Sequence, residues 1–185
     1  LAPIVFPADY LPPKAALRLA RMEPLKDLRQ LALEFPLPAT RQFYASKPDR
    51  LIGFILGYEG AGSLLSALKA EGLATGLSAG AASDALEFGS FNVNVNLTPA
   101  GLEKYPRVLE LFFSAIARLH DRGYPSYLFR ERQTMSQLDE MYQDKGEGAE
   151  RAVQLATQAR EFPLEIAERV PYLWLKEDPA AYASV

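Results

Sequence analysis

Phe91-Asn92-Val93-Asn94-Val95-Asn96-Leu97 alternates apolar and amide side chains without a break. A period of two puts Phe91, Val93, Val95 and Leu97 on one face of an extended chain and the three asparagines on the other. The stretch therefore reads as the end of a strand, Leu86 to Leu97, with one packed face and one polar face. Thr98-Pro99 follows at once, an N-cap hydroxyl with proline at the first helical position. Helical spacing of Val108, Leu109, Phe112, Ile116 and Leu119 then carries the chain to Arg122, with Pro106 expected to kink or restart the helix.

Upstream, Leu31-Ala-Leu-Glu-Phe35 also alternates and is predicted to stop at Pro36. Pro48 to Leu56 reads as a helix with Leu51, Ile52 and Ile55 on one face. Ser63 to Ala70 reads as a second, carrying Leu64, Leu65 and Leu68 and stopped by Gly72. Leu73 to Gly80 is extended but interrupted by glycine, the mark of an edge strand. Gly123-Tyr-Pro125 turns the chain into a helix from Ser126 to Tyr142, with Leu128, Met135, Leu138 and Tyr142 as its apolar stripe. Glu150–Glu161 forms another helix, Pro163 opens a short last one, and Pro171 and Pro179 mark the exit. Three or four strands with helices over one face make an α+β two-layer sandwich, its sheet mainly antiparallel.

The 185 residues carry 20 Lys and Arg against 23 Asp and Glu, a formal charge of −3. That balance argues against a nucleic-acid or anionic-membrane partner, which a strongly basic surface would serve. With no cysteine the chain has no disulfide, thiol nucleophile or cysteine metal site. Its one histidine, His120, falls short of the two or three that a hydrolytic zinc usually takes, so no metal site is expected here. No apolar run approaches the ~18–20 residues of a membrane span, and a soluble chain is expected. The first residue is Leu1, which suggests a piece of a longer or processed protein. Seven of 14 prolines fall in the first 38 residues. Residues 1–22 are therefore read as a proline-rich arm, extended to Pro13 with one or two helical turns over Lys14–Met22, and residues 23–185 as a single domain.

Seven of the 12 glycines fall between Gly53 and Gly80, which makes this window the most specialised backbone of the chain. Gly57-Tyr-Glu-Gly-Ala-Gly62-Ser63 approaches the phosphate loop but lacks its lysine and follows a helix where that loop follows a strand. Gly76-Leu-Ser78-Ala-Gly80 matches the nucleophile elbow G-x-S-x-G, with acids and then His120 downstream, so a serine hydrolase through Ser78 is a second reading. Against it, the preceding stretch is short and glycine-broken, and His120 reads as a solvated helix end. Glu131 and Asp139 read as solvent-face charges, and no carboxylate pair stands out for acid–base work. A glycine-rich edge strand does offer unpaired main-chain donors and acceptors to an extended peptide.

Tyr58-Glu-Gly-Ala-Gly-Ser-Leu-Leu-Ser-Ala-Leu-Lys-Ala-Glu-Gly72 resembles the segment (H)EGxGSLLxxLKxxG of the insulinase, or pitrilysin, family of zinc metallopeptidases. Met22–Arg29, Leu31–Pro38, Phe91–Thr98 with Gly101-Leu102, Phe129-Arg-Glu131, Tyr142–Lys145 and Phe162-Pro-Leu164 resemble flanking parts of the same pattern, from about Met22 to Ala180. The resemblance implies the insulinase-type fold and the non-catalytic second domain of the N-terminal half. The zinc-binding H-x-x-E-H of the family lies in the preceding domain, so zinc is implied for a parent protein's catalytic domain and no cofactor for this chain. The implied partners are peptide substrates and neighbouring domains of the same polypeptide. By position, substrate binding would fall on Tyr58, Glu59, Gly60, Ala61 and Gly62 of the turn and Leu77, Ser78, Ala79 and Gly80 of the strand. Tyr58 stands where insulinase-type members have His, Ala61 where they have Pro and Ala79 where they have Gly. A purely structural role, as in inactive subunits of processing-peptidase relatives, is the alternative. The compartment is open: bacterial members are often periplasmic, eukaryotic ones often cytosolic.

Overall fold

The computed structural model describes residues 18–38, 40–84, 88–144 and 146–185. Strands β1 (Gln30–Pro38), β2 (Ala74–Asp84) and β3 (Phe88–Leu97) form an antiparallel sheet in the order β1-β3-β2. Between β1 and β2 lie α1 (Pro48–Leu56) and α2 (Leu64–Ala70). After β3 come α3 (Pro99–Glu103), α4 (Tyr105–Arg122), α5 (Ser126–Met141), α6 (Gly148–Glu161), α7 (Leu164–Ala167) and α8 (Pro179–Ser184). This is the α+β layering that the alternating strand and its helical continuation implied.

The alternation of β3 decides where the core sits. Phe91, Val93, Val95 and Leu97 are buried, and register places Leu77 and Ala79 of β2 and Leu31, Leu33 and Phe35 of β1 on their face. Leu56 of α1, Leu64, Leu65 and Leu68 of α2, and Val108 and Phe112 of α4 close that side. Phe35 stacks on Phe112 with ring centroids 5.8 Å apart. Removing the Phe112 ring would cost about 3–5 kcal/mol by the usual scale for a buried aromatic. A second cluster, Leu51, Leu128, Phe129 and Trp174, ties α1 to α5 and the C-terminal segment. The opposite sheet face carries Asn92, Asn94 and Asn96 with Glu34, Ser78 and Gly80.

One hydrogen bond sets the phase of the ladder. Leu97 N–H donates to the Arg29 carbonyl at 2.8 Å. Bonded pairs in an antiparallel ladder recur every second residue, so 31, 33, 35 and 37 exchange bonds with β3. The nitrogens of 36 and 38 then face away from it. This explains why β1 runs to Pro38 and does not stop at Pro36: both prolines sit on an outer edge where no N–H is required. By the same phase Asn92, Asn94 and Asn96 turn their main chain toward β2, consistent with Thr98 N–H donating to the Leu73 carbonyl at 3.1 Å.

Local signals account for most element ends. Ser63 Oγ accepts from Ser66 N–H at 3.0 Å to start α2. At its other end Gly72 has φ 69°, with Leu73 N–H on the Leu68 carbonyl and Gly72 N–H on the Lys69 carbonyl, so the glycine stop is a Schellman motif. The break between α3 and α4 falls at Lys104, just before Pro106.

Besides the Pro36 stop, four expectations differ from the structure. β2 runs four residues beyond Gly80, to Asp84, past register shifts at Ala74/Gly76 and Ala81/Ser83. Of the apolar stripe expected on α5 Leu128 is buried, but Met135, Leu138 and Tyr142 are exposed, and Phe129 and Ser136 are the other buried residues of the helix. The helix packs through its start against Trp174, whose carbonyl accepts from Gln133. Pro179 opens a further helix and is no exit, because Asp178 caps it by accepting from Ala181 N–H at 3.0 Å. Residues 18–22 carry no regular element, while residues 1–17 and the expected strand start at 86 and 87 lie outside the described residues.

Candidate functional site

Among the described residues β2 is hydrogen-bonded on one side only, to β3. Residues 76, 78 and 80 spend their main-chain groups on that ladder, which leaves the N–H and C=O of Leu77, Ala79 and Ala81 directed outward. Along these groups runs a groove of about 910 Å3, lined by Leu77–Ala81 of β2, by Gly53, Phe54 and Gly57 of α1, by Arg132, Ser136 and Asp139 of α5, and by Pro171, Tyr172 and Trp174.

Two glycines one helical turn apart keep the strand edge reachable. A Cβ on Gly53 would stand 3.2 Å from the Ala79 carbonyl oxygen and from the Gly80 Cα, and one on Gly57 would stand 3.8 Å from the Ala79 nitrogen. Side chains at these positions would cover the outward groups of Ala79 or push α1 off the strand. At Gly80 itself a Cβ would meet nothing within 4 Å among the described residues.

The far wall is held by Lys47. Its backbone is left-handed (φ 45°, ψ 55°), a strained state for a residue with a Cβ. The buried Nζ donates to the carbonyls of Val170 (2.8 Å) and Pro171 (2.7 Å) and lies 5.7 Å from the Trp174 ring centre. Loss of solvent is the main cause, with nearby Arg50 adding and Asp49 opposing, that lowers its pKa to about 7. Arg50 donates to the same Pro171 carbonyl at 3.4 Å.

Of the residues singled out from sequence, Tyr58, Glu59, Leu77, Ser78, Ala79 and Gly80 all line this groove. Gly60, Ala61 and Gly62 sit in the turn beside it, and Gly62, with φ 80°, faces a smaller cavity against α2 and α4. The Tyr58 ring lies across Gly60, since a Cβ there would fall 2.2 Å from the Tyr58 hydroxyl oxygen. Sequence reasoning missed Phe54, Arg132, Ser136 and Trp174. Arg132, Ser136 and Asp139 do share one helical face, but a polar stripe reads as solvent exposure until a strand edge is placed opposite.

The competing motifs take other shapes. Ser78 is exposed in the interior of β2 and is not at a strand-to-helix turn, so the elbow geometry is not met. His120 is exposed near the end of α4 with Nδ1 3.8 Å from the Asp121 carboxylate. Gly57–Ser63 joins two helices and no strand leads into it. Among the described residues no group of three or more His, Cys, Asp or Glu is placed to hold a metal ion, and no helix is long and apolar enough to cross a membrane.

Residues 5–135 match the family model described as the Peptidase M16 inactive domain. Over 166 residues, 88% of this chain and 16% of the relative, the sequence is 32% identical to a nardilysin-like protein of Arabidopsis thaliana. Over 156 residues, 84% of this chain and 15% of the relative, it is 30% identical to insulin-degrading enzyme of Homo sapiens. The crystal structure of pitrilysin superimposes with a TM-score of 0.78 at 24% identity, covering 84% of this chain and 17% of that one, and at this identity the likeness speaks for the fold. The chain thus spans only 15–16% of the length of these two relatives.

Proposed function

The chain belongs to the family of Peptidase M16 inactive domains, and from that premise we propose that it is the peptide-binding, non-catalytic part of an insulinase-type zinc metalloendopeptidase. An extended peptide adds to the free edge of β2, and the Tyr58–Gly62 turn meets its N-terminus. Cleavage belongs to a zinc site in another domain of the same polypeptide, because this chain carries one histidine and no H-x-x-E-H. The observation that carries the reading is the row of outward main-chain groups at Leu77, Ala79 and Ala81 along the groove. Main-chain pairing gives affinity with little sequence preference, as a peptidase of broad specificity requires.

The test is fluorescence anisotropy with a labelled, unstructured peptide, offered unmodified, acetylated at its N-terminus, and N-methylated at alternate residues. Saturable binding is expected, with the peptide recovered intact. Each main-chain bond removed by N-methylation costs about 1 kcal/mol, roughly fivefold in Kd. Acetylation weakens binding if the turn reads the free amine. Equal affinity for the N-methylated peptide would exclude strand addition, and absence of binding by all three would leave the chain a structural role.

A further inference from the structure

Arg132 is the cation in the groove whose placement the fold fixes without giving it an anion. Its guanidinium carbon lies over the Phe54 ring, 4.6 Å from its centre, a cation–π contact. The residue is half-buried, and among the described residues it makes no ion pair and no hydrogen bond. Contact with the ring restrains the guanidinium without using its N–H donors, so part of the rotamer entropy that a carboxylate contact would otherwise cost is already spent. The other charges of the groove are differently placed. Arg50 is engaged with the Pro171 carbonyl. Glu59 and Asp139 are exposed, so water screens them and their side chains are not held by packing. Asp49 is buried and has a partner of its own.

Resting on the strand-addition reading, we infer that Arg132 on its Phe54 platform is a specificity-determining subsite of the groove, taking a carboxylate side chain of the bound peptide. Pairing with β2 fixes the register of the peptide, so one side chain position falls opposite α5 and the preference is for Asp or Glu at that position alone. A planar fork accepts a carboxylate in two parallel bonds, which an ammonium does not reproduce.

The experiment is an anisotropy series on the full 185-residue chain. A host peptide of Ser, Thr and Val with no charged side chain is compared with versions carrying one Glu, or one Gln, at each successive position. The host sets the baseline for each protein separately, and every comparison of Glu with Gln is made within one protein. One Glu position should bind the native protein about tenfold more tightly than its Gln counterpart, the effect of one charge-assisted pair. That gain should vanish in Arg132→Gln and return in part in Arg132→Lys, with unchanged thermal unfolding showing both variants folded. Glu no better than Gln at every position, while the host still binds, overturns the subsite and leaves strand addition standing. Failure of every peptide, host included, overturns both.

Discussion

A Cβ built on Gly101 would fall 1.8 Å from the Leu73 carbonyl oxygen and 2.8 Å from its carbon. No flexible side chain is there to move aside; the first turn of α3 rests on backbone. The contact is locked from both sides, since the Thr98 hydroxyl donates to the Gly72 carbonyl at 2.7 Å and accepts from Gly101 N–H at 2.9 Å. Gly101→Ala is therefore expected to destabilise by about 3 kcal/mol, the upper end of overpacking penalties. Urea unfolding against the native chain measures it, and a loss below about 0.5 kcal/mol, the size of a neutral surface change, would contradict the contact. Gly80 gives the opposite forecast. Its Cβ direction is open among the described residues and its φ is not left-handed, so Gly80→Val should unfold within a few degrees of the native protein. Valine there stands on the Asn92 side of the edge strand, beside the path of an added peptide, and should weaken peptide binding severalfold. Unchanged affinity in the folded variant would remove Gly80 from the binding surface.

The two edges of the sheet are built for opposite ends. On β1 the outward nitrogens at 36 and 38 belong to prolines, which removes two donors from that edge and blocks a second chain from pairing there. On β2 the outward groups stay intact behind a glycine pair. Replacing Pro36 and Pro38 together by valine restores both donors, and the expected result is concentration-dependent self-association, read by sedimentation velocity. A variant that stays monomeric at high concentration would show the prolines are not what protects the edge. This asymmetry also marks how much could be read from the sequence. The alternation at Phe91–Leu97, the Gly72 stop and the glycine-rich edge strand were legible because each depends on near neighbours. Pro36 misled because its meaning depends on which side of a ladder it faces, and that phase is set by β3, more than fifty residues away. The exposed stripe of α5 misled for a related reason: helical period reports a face, but Trp174, far along the chain, chooses which face is buried. The turn and strand residues of the groove were found from sequence, whereas Phe54 and Arg132 needed the helices placed around them.

Lys47 couples the start of α1 to the C-terminal segment that walls the groove, and its titration reports that coupling. Its pKa falls to about 7 in the fold, mainly from loss of solvent, against about 10.4 in an unfolded chain. A lowered lysine pKa means the charged form is disfavoured in the native state. Below pH 7 both states hold the proton and the fold bears the full cost of a buried charge. Between about 7 and 10.4 the unfolded chain binds more protons than the native one, so stability rises with pH, by at most about 1.4 kcal/mol per unit. The phenols set the upper limit of the useful window. Burial first, then Glu177, pushes Tyr124 up to about 12, and burial raises Tyr182, so both withdraw stability as pH climbs beyond about 10. Urea unfolding between pH 7 and 9 should therefore show stability increasing with pH in the native chain. Lys47→Met fills similar volume without a titrating group. It should be less stable by about 1–3 kcal/mol, because the Val170 and Pro171 carbonyls lose their donor, and its stability should be flat over the same range. An equal slope in both proteins would move the titration to another group and leave Lys47 as a hydrogen-bond donor only. A flat native profile with a destabilised variant would mean that the two carbonyls hold Lys47 charged, so that the wall of the groove is pinned by an ammonium throughout the physiological range.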